Sequence, residues 1–372
     1  DYGICDEIRR RTGKKRRVRP AVYGGMNMEK EKRPGAFKRM LSIRGVGQVI
    51  TVTFGLVVLL VVFSLMSPAF YSSRNVENLL RQIAPILIIG IGQGFVLITG
   101  NIDLSIGSVV GMSCMISATL MTKHMNPWLA ALITLLICLG VGVLNGLLVA
   151  QWKVPPFIAT LGTMTVTRGI AQIVNNNYNT DAIGEGAKSF RDFFYYGRFL
   201  GLYNTIWIAV VLFLVFNFLL GKTRTGRHIY AVGSNLEAAK LSGVNAVHTV
   251  LTVYVVSSFC ACVVGLVTCA IAGMGTMDAG NMYEMFAVAA AAIGGISTFG
   301  GEGLLAGTIV GAAIWGTLQN GLQFVGAPVA IRNIVIGTIV VVSVLLDVVI
   351  RSNRPRRKPK RAPAAQAENK AS

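Results

Sequence analysis

Eight polar side chains stand within or beside otherwise apolar runs of this chain: Gln93, Asn101, Asp103, Asn145, Arg168, Glu284, Asn320 and Arg332. Placing a charge at the centre of a lipid bilayer costs roughly 2.5–3.5 kcal/mol on insertion scales. Such groups must therefore face a bundle interior, an aqueous path or an interface. Gln93, Asn101, Asp103, Asn145, Glu284 and Asn320 are the candidates for a translocation path. Asp103, with Ser105 after it, reads first as the cap of a following helix and only second as a solute contact. Asn145 and Asn320 suit hydrogen bonds between helices. Glu284 belongs either on the outer rim of a path or in a pair with Arg332. None of this is the pattern of a hydrolase, because His124, His228 and His248 are isolated and read as surface or interface residues. No metal site is expected. Of the six cysteines, Cys114, Cys138, Cys260, Cys262 and Cys269 lie in apolar runs and Cys5 does not, and Cys260-Ala-Cys262 is too close for a zinc-type pair. They read as packing residues without a disulfide.

The elements that hold these groups are long and apolar. With 53% apolar and only 14% charged residues, and a mean hydropathy of +0.60, the chain is not an ordinary soluble domain. Apolar runs of about 20 residues recur, each long enough to cross the hydrocarbon as a helix. The expected class is therefore all-α: a polytopic membrane protein of ten spans. They are Val46–Met66, Ile83–Thr99, Leu104–Met121, Trp128–Ala150, Pro155–Val174, Asn204–Leu220, Val247–Ala272, Tyr283–Ile296, Leu304–Leu322 and Ile331–Ile350. The stretch Asn175–Tyr203 reads as one long polar outer loop.

The net charge of +19 is clustered. Residues 1–45 form a basic tail, residues 351–372 a second, and both flank spans. The positive-inside rule explains this better than a nucleic-acid partner and places both termini in the cytoplasm. Met28-Glu-Lys-Glu-Lys reads as a true start, with residues 1–27 an over-called frame or a disordered extension. Glycines at four-residue spacing, as in Gly107-xxx-Gly111 and Gly303-xxx-Gly307-xxx-Gly311, favour close helix packing. They do not make a nucleotide site: Gly90-Ile-Gly92-Gln-Gly94 has neither the flanking strand nor the correctly spaced third glycine of a dinucleotide loop, and Gly301–Thr308 lacks the phosphate-loop lysine. Leu144-Asn145-Gly146-Leu147 is echoed by Gln319-Asn320-Gly321-Leu322, in spans expected to run in opposite directions. That echo fits an inverted five-plus-five repeat within the transmembrane unit, residues 46–350.

One hydrophilic segment divides the apolar chain. Residues 221–246 contain Asn235 as an N-cap, Glu237 at the start and Lys240 at the end of a short helix, and Gly243 as its left-handed stop. Ala238 and Ala239 give it a small face, suited to plugging a groove on another protein. A plain solvated connector is the competing reading.

Several motifs in order carry a resemblance. Leu97-Ile-Thr-Gly-Asn-Ile-Asp-Leu-Ser-Ile-Gly-Ser108, Val154-Pro-Pro-Phe-Ile-Ala-Thr-Leu-Gly-Thr163, Arg168-Gly-Ile-Ala171, Ala231–Asn245, Ile293–Gly303 and Asn320-Gly-Leu322 resemble permease subunits of ribose/galactose/xylose-type ATP-binding-cassette importers. The likeness spans about Val46 to Ile350. One departure is that Tyr283-Glu284 is followed by Met285-Phe286, where the family often has a second carboxylate.

The resemblance implies a multi-pass protein of the bacterial plasma membrane that is a transport subunit and not an enzyme. It implies a cytoplasmic ATPase with tandem nucleotide-binding domains, an extracytoplasmic sugar-binding protein and a second permease subunit, identical or distinct. ATP and magnesium would be held by the ATPase, with no cofactor on this chain. The central segment resembles the family's coupling loop, which makes Gly233, Asn235, Glu237, Ala238, Ala239 and Gly243 the expected ATPase-coupling residues. A permease for nucleosides or branched-chain amino acids, an ion-coupled carrier and a membrane scaffold are the alternatives.

Overall fold

In the computed structural model, residues 46–352 are described, and all belong to the compact unit Met40–Ser372. The tails expected at 1–45 and 351–372, with Met28 and Cys5, lie outside the described residues apart from the last turn of the final helix. The described chain is helical. The elements are α1 (Val46–Met66), α2 (Ser73–Ile98), α3 (Ile106–Thr122), α4 (Pro127–Ala150), α5 (Pro156–Ile173), α6 (Asn204–Lys222), α7 (Arg224–Ser234), α8 (Leu236–Leu241), α9 (Ala246–Ala272), α10 (Tyr283–Ile293), α11 (Leu305–Phe324) and α12 (Val329–Ser352).

Ten of these helices fall on the ten expected spans, and α7 and α8 fall in the hydrophilic segment. By length and composition, α1, α2, α4, α6 and α9 can cross a membrane. The protein is thus a polytopic membrane protein. The helices α5 and α11 are long enough but carry threonines, glycines and Arg168 or Asn320 on their inward faces, which dilutes their hydropathy. At eleven residues, α10 reaches only about 16 Å, roughly half of a ~30 Å hydrocarbon core. Non-helical stretches, 273–282 and 294–304, flank it on either side. Irregular backbone at such depth is stable only where protein surrounds it. Here Ala279, Gly294 and Ile296 are all buried.

Two helices form the centre, since 78% of the apolar window of each of α2 and α9 is buried. α9 packs on α3 and α4, and α2 packs on α10 and α11. α5 lies against α3, α12 against α10, α6 against α2 and α1 against α11. The outer helices turn apolar side chains away from the core: Phe54, Leu136, Val166, Leu214 and Ile334 are exposed. That is the pattern of a lipid-facing surface, since lipid is as apolar as the core.

The spaced glycines set the helix separations, as their spacing predicts. A side chain on Gly307 would run into the Gly294 carbonyl, and one on Gly311 into the Ala290 carbonyl. α10 and α11 therefore touch backbone to backbone. The five described cysteines are buried and unbridged.

The stretch expected as a polar outer loop is a folded cap. It contains a helical turn at Lys188–Arg191, a wider turn at Asp192–Tyr196 and a hairpin of β1 (Arg198–Phe199) and β2 (Leu202–Tyr203). Leu200 and Gly201 both take positive φ, which a two-residue hairpin turn of this kind needs. Phe190 and Phe194 anchor the cap in the core. Arg81 lies over the rings of Tyr195 and Tyr203, at 4.0 and 3.9 Å from their centroids. The cap also holds the stretch before α10: Thr180 N donates to Gly275 O at 3.0 Å, Ile183 N to Gly273 O at 2.9 Å, and Met277 N to Asn179 Oδ1 at 2.9 Å. Composition did not betray this, because the anchoring Phe residues are outnumbered by polar ones.

Gly307→Val should separate α10 from α11 and cost about 1–3 kcal/mol, the usual penalty of overpacking. Gly162→Val, at a position with open space around it, should cost little. Thermal unfolding of the two variants in detergent, followed by size exclusion, checks the contrast. Equal stability would contradict the backbone-to-backbone packing.

Candidate functional site

The segment between α6 and α9 is two helices rather than the single short one expected. Thr223 caps α7, accepting from Gly226 N at 3.2 Å. Gly226, Ile229 and Val232 are buried, and Arg224, Arg227 and His228 face outward. Asn235 ends α7 and begins α8, its Oδ1 accepting from Ala238 N at 3.0 Å. Gly243 follows at φ +80°, the left-handed stop that the sequence predicts. Asn245 then caps α9 by accepting from His248 N at 2.9 Å.

The end of α7 is locked onto the bundle. The Gly233 backbone lies so close to the Ile98 carbonyl at the end of α2 that a Cβ would overlap it. That same carbonyl accepts from Gly301 N at 2.8 Å. Tyr230 Oη donates to Gly303 O at 2.7 Å, and Ser234 Oγ lies 3.5 Å from Gly301 O. α7 is thus tied at once to α2 and to the 294–304 stretch between α10 and α11. Gly301 takes φ +72° to make this approach.

The expected coupling residues divide between two roles. Gly233 and Ala239 face inward, Ala239 being 4% exposed. Asn235, Glu237, Ala238 and Gly243 face outward, together with Leu236, Lys240 and Leu241. Leu241 is 91% exposed, a large apolar side chain at the tip of a short helix. Lys240 Nζ sits 2.8 Å from Glu237 Oε1. That hydrogen bond, with a weaker contribution from Lys153, holds the Glu237 carboxyl below its ordinary range. Beside α8 runs a groove of about 540 Å³ whose walls include Asn101, Val149, Pro155 and Leu236.

A second centre lies deeper, where α3 and α10 begin. Residues 99–105 leave the end of α2 and turn back along the bundle before α3 starts. Asp103, 1% exposed, accepts from Ser105 N at 2.9 Å and Ser105 Oγ at 2.6 Å through Oδ1, and from Ser257 Oγ at 2.6 Å through Oδ2. It is not the helix cap that the sequence indicates: Ser105 holds the N-cap position of α3, and Asp103 closes the turn just before it, with α9 supplying an extra donor. Asn145 Nδ2 donates to Ser105 Oγ at 2.9 Å, tying α4 to the same point. Tyr254 Oη donates to Ile102 O at 3.1 Å. Thr167 Oγ1 donates to Ser108 Oγ at 2.6 Å, bringing in α5.

The start of α10 meets the start of α3 there. Gly107 lies against Gly280 O and the Glu284 side chain, and Gly111 against Ala279 O and Arg168 Nη1. Arg168 donates to Ala279 O at 2.8 Å. Two short helices thus converge by their positive ends, with Asp103 at one and Glu284 in the first turn of the other. Glu284 sits in this interior centre, neither on an outer rim nor in an ion pair with Arg332.

The six path candidates do not form one site. Asp103, Asn145 and Glu284 cluster at these helix starts. Asn101 lines the groove beside α8. Asn320 is at the far end of α11 and exchanges hydrogen bonds with Asn75 at 3.0 and 3.1 Å, the interhelical role expected of it. Gln93 is fully buried in α2, and its side-chain nitrogen and oxygen have no partner. Sequence reasoning passed over Ser257, Tyr254 and Tyr230. For the first, the pair Ser257-Ser258 inside an apolar span was the available signal. Among the described residues no three His, Cys, Asp or Glu side chains gather as metal ligands. Around Asp103 the serine hydroxyls are committed as donors to the carboxylate, and the arrangement offers polar groups that bind and orient.

Comparison with known proteins agrees with this. The family described as "Branched-chain amino acid transport system / permease component" matches residues 75–344. The ribose import permease protein RbsC of Bacillus subtilis (strain 168) is 34% identical over 83% of this chain and 96% of its own length. The D-allose transport system permease protein AlsC of Escherichia coli (strain K12) is 33% identical over 79% of this chain and 90% of its own. The L-arabinose ABC transporter permease protein AraH of Azospirillum brasilense is 33% identical over 83% and 91%. No solved structure matches. A helical body with a hydrophilic segment tied into it, matched along most of its length by these subunits, belongs to the family of branched-chain amino acid transport system permease components.

Proposed function

We propose that this chain is the membrane-spanning permease of an ATP-binding-cassette importer for a monosaccharide of the ribose, galactose and xylose class. The observation that carries the coupling mechanism is the attachment of α7–α8 to two junctions at once, the end of α2 and the stretch between α10 and α11. The sugar class is supported by the relatives, whose names specify ribose, D-allose, galactose and L-arabinose. The motifs around Asp103 and Pro155-Pro156 favour sugars over the amino acids in the family description.

In this reading the ten helices α1–α6 and α9–α12 are the membrane body, in the bacterial plasma membrane with both termini cytoplasmic. α10 crosses with the help of its two flanking stretches. An inverted five-plus-five repeat is supported by matched pairings. α3 and α4 pack on α9 as α10 and α11 pack on α2, and α5 lies on α3 as α12 lies on α10. Both α3 and α10 follow a non-helical link. The halves differ in that α1 packs on α11 whereas α6 packs on α2.

A cytoplasmic ATPase with tandem nucleotide-binding domains docks on the exposed side of α8, around Leu236, Ala238 and Leu241. It binds the ATP and magnesium; this chain hydrolyses nothing. An extracytoplasmic binding protein delivers the sugar, and a second permease subunit completes the path. ATPase closure displaces α8, and α7 passes the displacement to Ile98 and Gly301. Through residues 99–105 it reaches the start of α3, and through the 294–304 stretch it reaches the end of α10, whose other end meets α3; a small tilt of the two opens or closes the polar centre. That is alternating access, with Asp103, Asn145 and Glu284 at the moving point. A secondary carrier is the rival reading, and it would take up sugar on an ion gradient without an ATPase.

Two substitutions separate docking from transmission. Leu241→Asp should weaken copurification of the ATPase and cut ATP-driven uptake about tenfold, as expected for a central interface anchor. Gly233→Val should leave the ATPase bound but part α7 from α2. ATP hydrolysis should then continue in proteoliposomes while sugar uptake falls about tenfold or more, the cost of overpacking a backbone contact. Loss of both hydrolysis and ATPase binding in Gly233→Val would count against a transmitting role for this contact.

A further inference from the structure

At the end of the bundle away from α7–α8, a polar pocket of about 380 Å³ opens between the first turns of α2 and the last turn of α11. Its lining includes Arg74, Asn78, Gln82, Asn320, Gln323 and Phe324. Arg74, Asn78 and Gln82 are spaced four residues apart, so they share one face of α2. All three are exposed, as is Gln323. The side chains of Arg74, Asn78 and Gln323 make no hydrogen bond to another described residue.

The floor of the pocket is fixed. Asn75 and Asn320 exchange two hydrogen bonds, and Asn75 Nδ2 also donates to Phe70 O at 2.9 Å. Gln82 Oε1 lies 3.5 Å from Asn320 Nδ2. Phe70 packs edge-on against Phe324, with ring centroids 6.0 Å apart, which orients a ring that remains 39% exposed. A hydrogen-bonded polar floor beside an oriented aromatic face preorganises part of the site, and the free side chains of its walls keep their donors and acceptors for a ligand.

We infer that this pocket is a binding site for one neutral sugar ring, received at the far end of the path. Carboxamides donate and accept at once, as vicinal hydroxyls require. The Phe324 face matches the C–H face of a sugar ring. No acidic residue lines the pocket, so a cation finds no partner, and one exposed arginine supplies donors without building an anion cage. The volume falls at the small end of ordinary small-ligand sites, about 300–1,000 Å³. The inference rests on the sugar-import reading, and adds to it a place of entry distinct from the centre at Asp103, Asn145 and Glu284.

The test has two arms. Uptake of D-ribose, L-arabinose, D-galactose and D-allose by the complete importer in proteoliposomes finds the transported sugar. Failure with all of them overturns the sugar reading itself, and the pocket with it. The transported sugar is then offered to the full permease chain in nanodiscs, without binding protein, and followed by saturation-transfer NMR. Asn78→Leu with Gln323→Leu should weaken the sugar's binding about tenfold, the loss of two neutral hydrogen bonds. Asn78→Gln should retain it. Capture of the sugar-loaded binding protein should be the same for both variants and the wild type. If the double variant does not elute as a single species, Gln323→Ala takes its place. No saturation transfer to the wild-type chain, or equal transfer to the leucine variant, overturns the pocket while leaving the sugar reading intact. So does a variant whose only defect is failure to capture the binding protein, which would assign the pocket to a protein loop.

Discussion

At one end of α2 a single carbonyl does two things. Ile98 O accepts the Gly301 amide at 2.8 Å, and the Gly233 backbone presses against it with no room for a side chain. Three chain segments far apart in sequence share this point. A contact made of backbone atoms cannot adjust by rotating a side chain, so a displacement of α7 is passed on rather than absorbed. The Tyr230–Gly303 hydrogen bond adds a second attachment a few residues away. The rest of the functional account depends on this rigidity, because α8 is short and has little of its own to hold it. Its fixed position comes from α7 and from the inward-facing Ala239.

The deeper centre is built on the opposite principle. α3 and α10 start inside the protein, and their links leave backbone groups that regular helices would have paired. Tyr254 of α9 satisfies the Ile102 carbonyl and Arg168 of α5 the Ala279 carbonyl, while Ser257, Asn145 and Thr167 bond to side chains around the Asp103 turn. Hydrogen bonds to a charged group are worth about 1.5–3 kcal/mol each, and more is lost when a buried one is left unmade. Such a network holds one arrangement firmly but has few apolar contacts to break on changing to another. Packed glycines beside it, Gly107, Gly111 and Gly280, leave no side chains to interlock. A junction that is polar and smooth, with Asn145 Oδ1 left without a partner, is suited to having two positions.

Much of this was legible in the residues. Apolar runs located ten helices, of which α10 is short, and α5 and α11 show the limit of the signal: threonine and glycine lower their hydropathy although both helices are there. Asn235 and Gly243 were readable because caps and stops depend on local chemistry alone, whereas Asp103 closes a turn one step before the cap position of α3. What remained hidden depends on partners distant in the chain. Ala239 looked like part of an offered face, yet it packs inward, since nothing local says which side of a six-residue helix meets the body. α7 was missed because its apolar positions are few and its polar ones many. Glu284 went to the interior because the stretch before α10 runs along α3, a path that only Gly107 and Gly111 make possible. The polar stripe Arg74, Asn78 and Gln82 carried a visible four-residue spacing, and it was obscured by lying before the apolar part of α2.

The most direct test is a pair of structures of the assembled importer, one without nucleotide and one with the ATPase closed on ATP. The account predicts that α8 touches the ATPase in both. It also predicts that the Ile98–Gly301 and Tyr230–Gly303 hydrogen bonds persist, so that α7, the end of α2 and the 294–304 stretch move together while the starts of α3 and α10 shift relative to each other. An α7 that slides away from Gly301 between the two states, or an α8 that meets no ATPase, would contradict it.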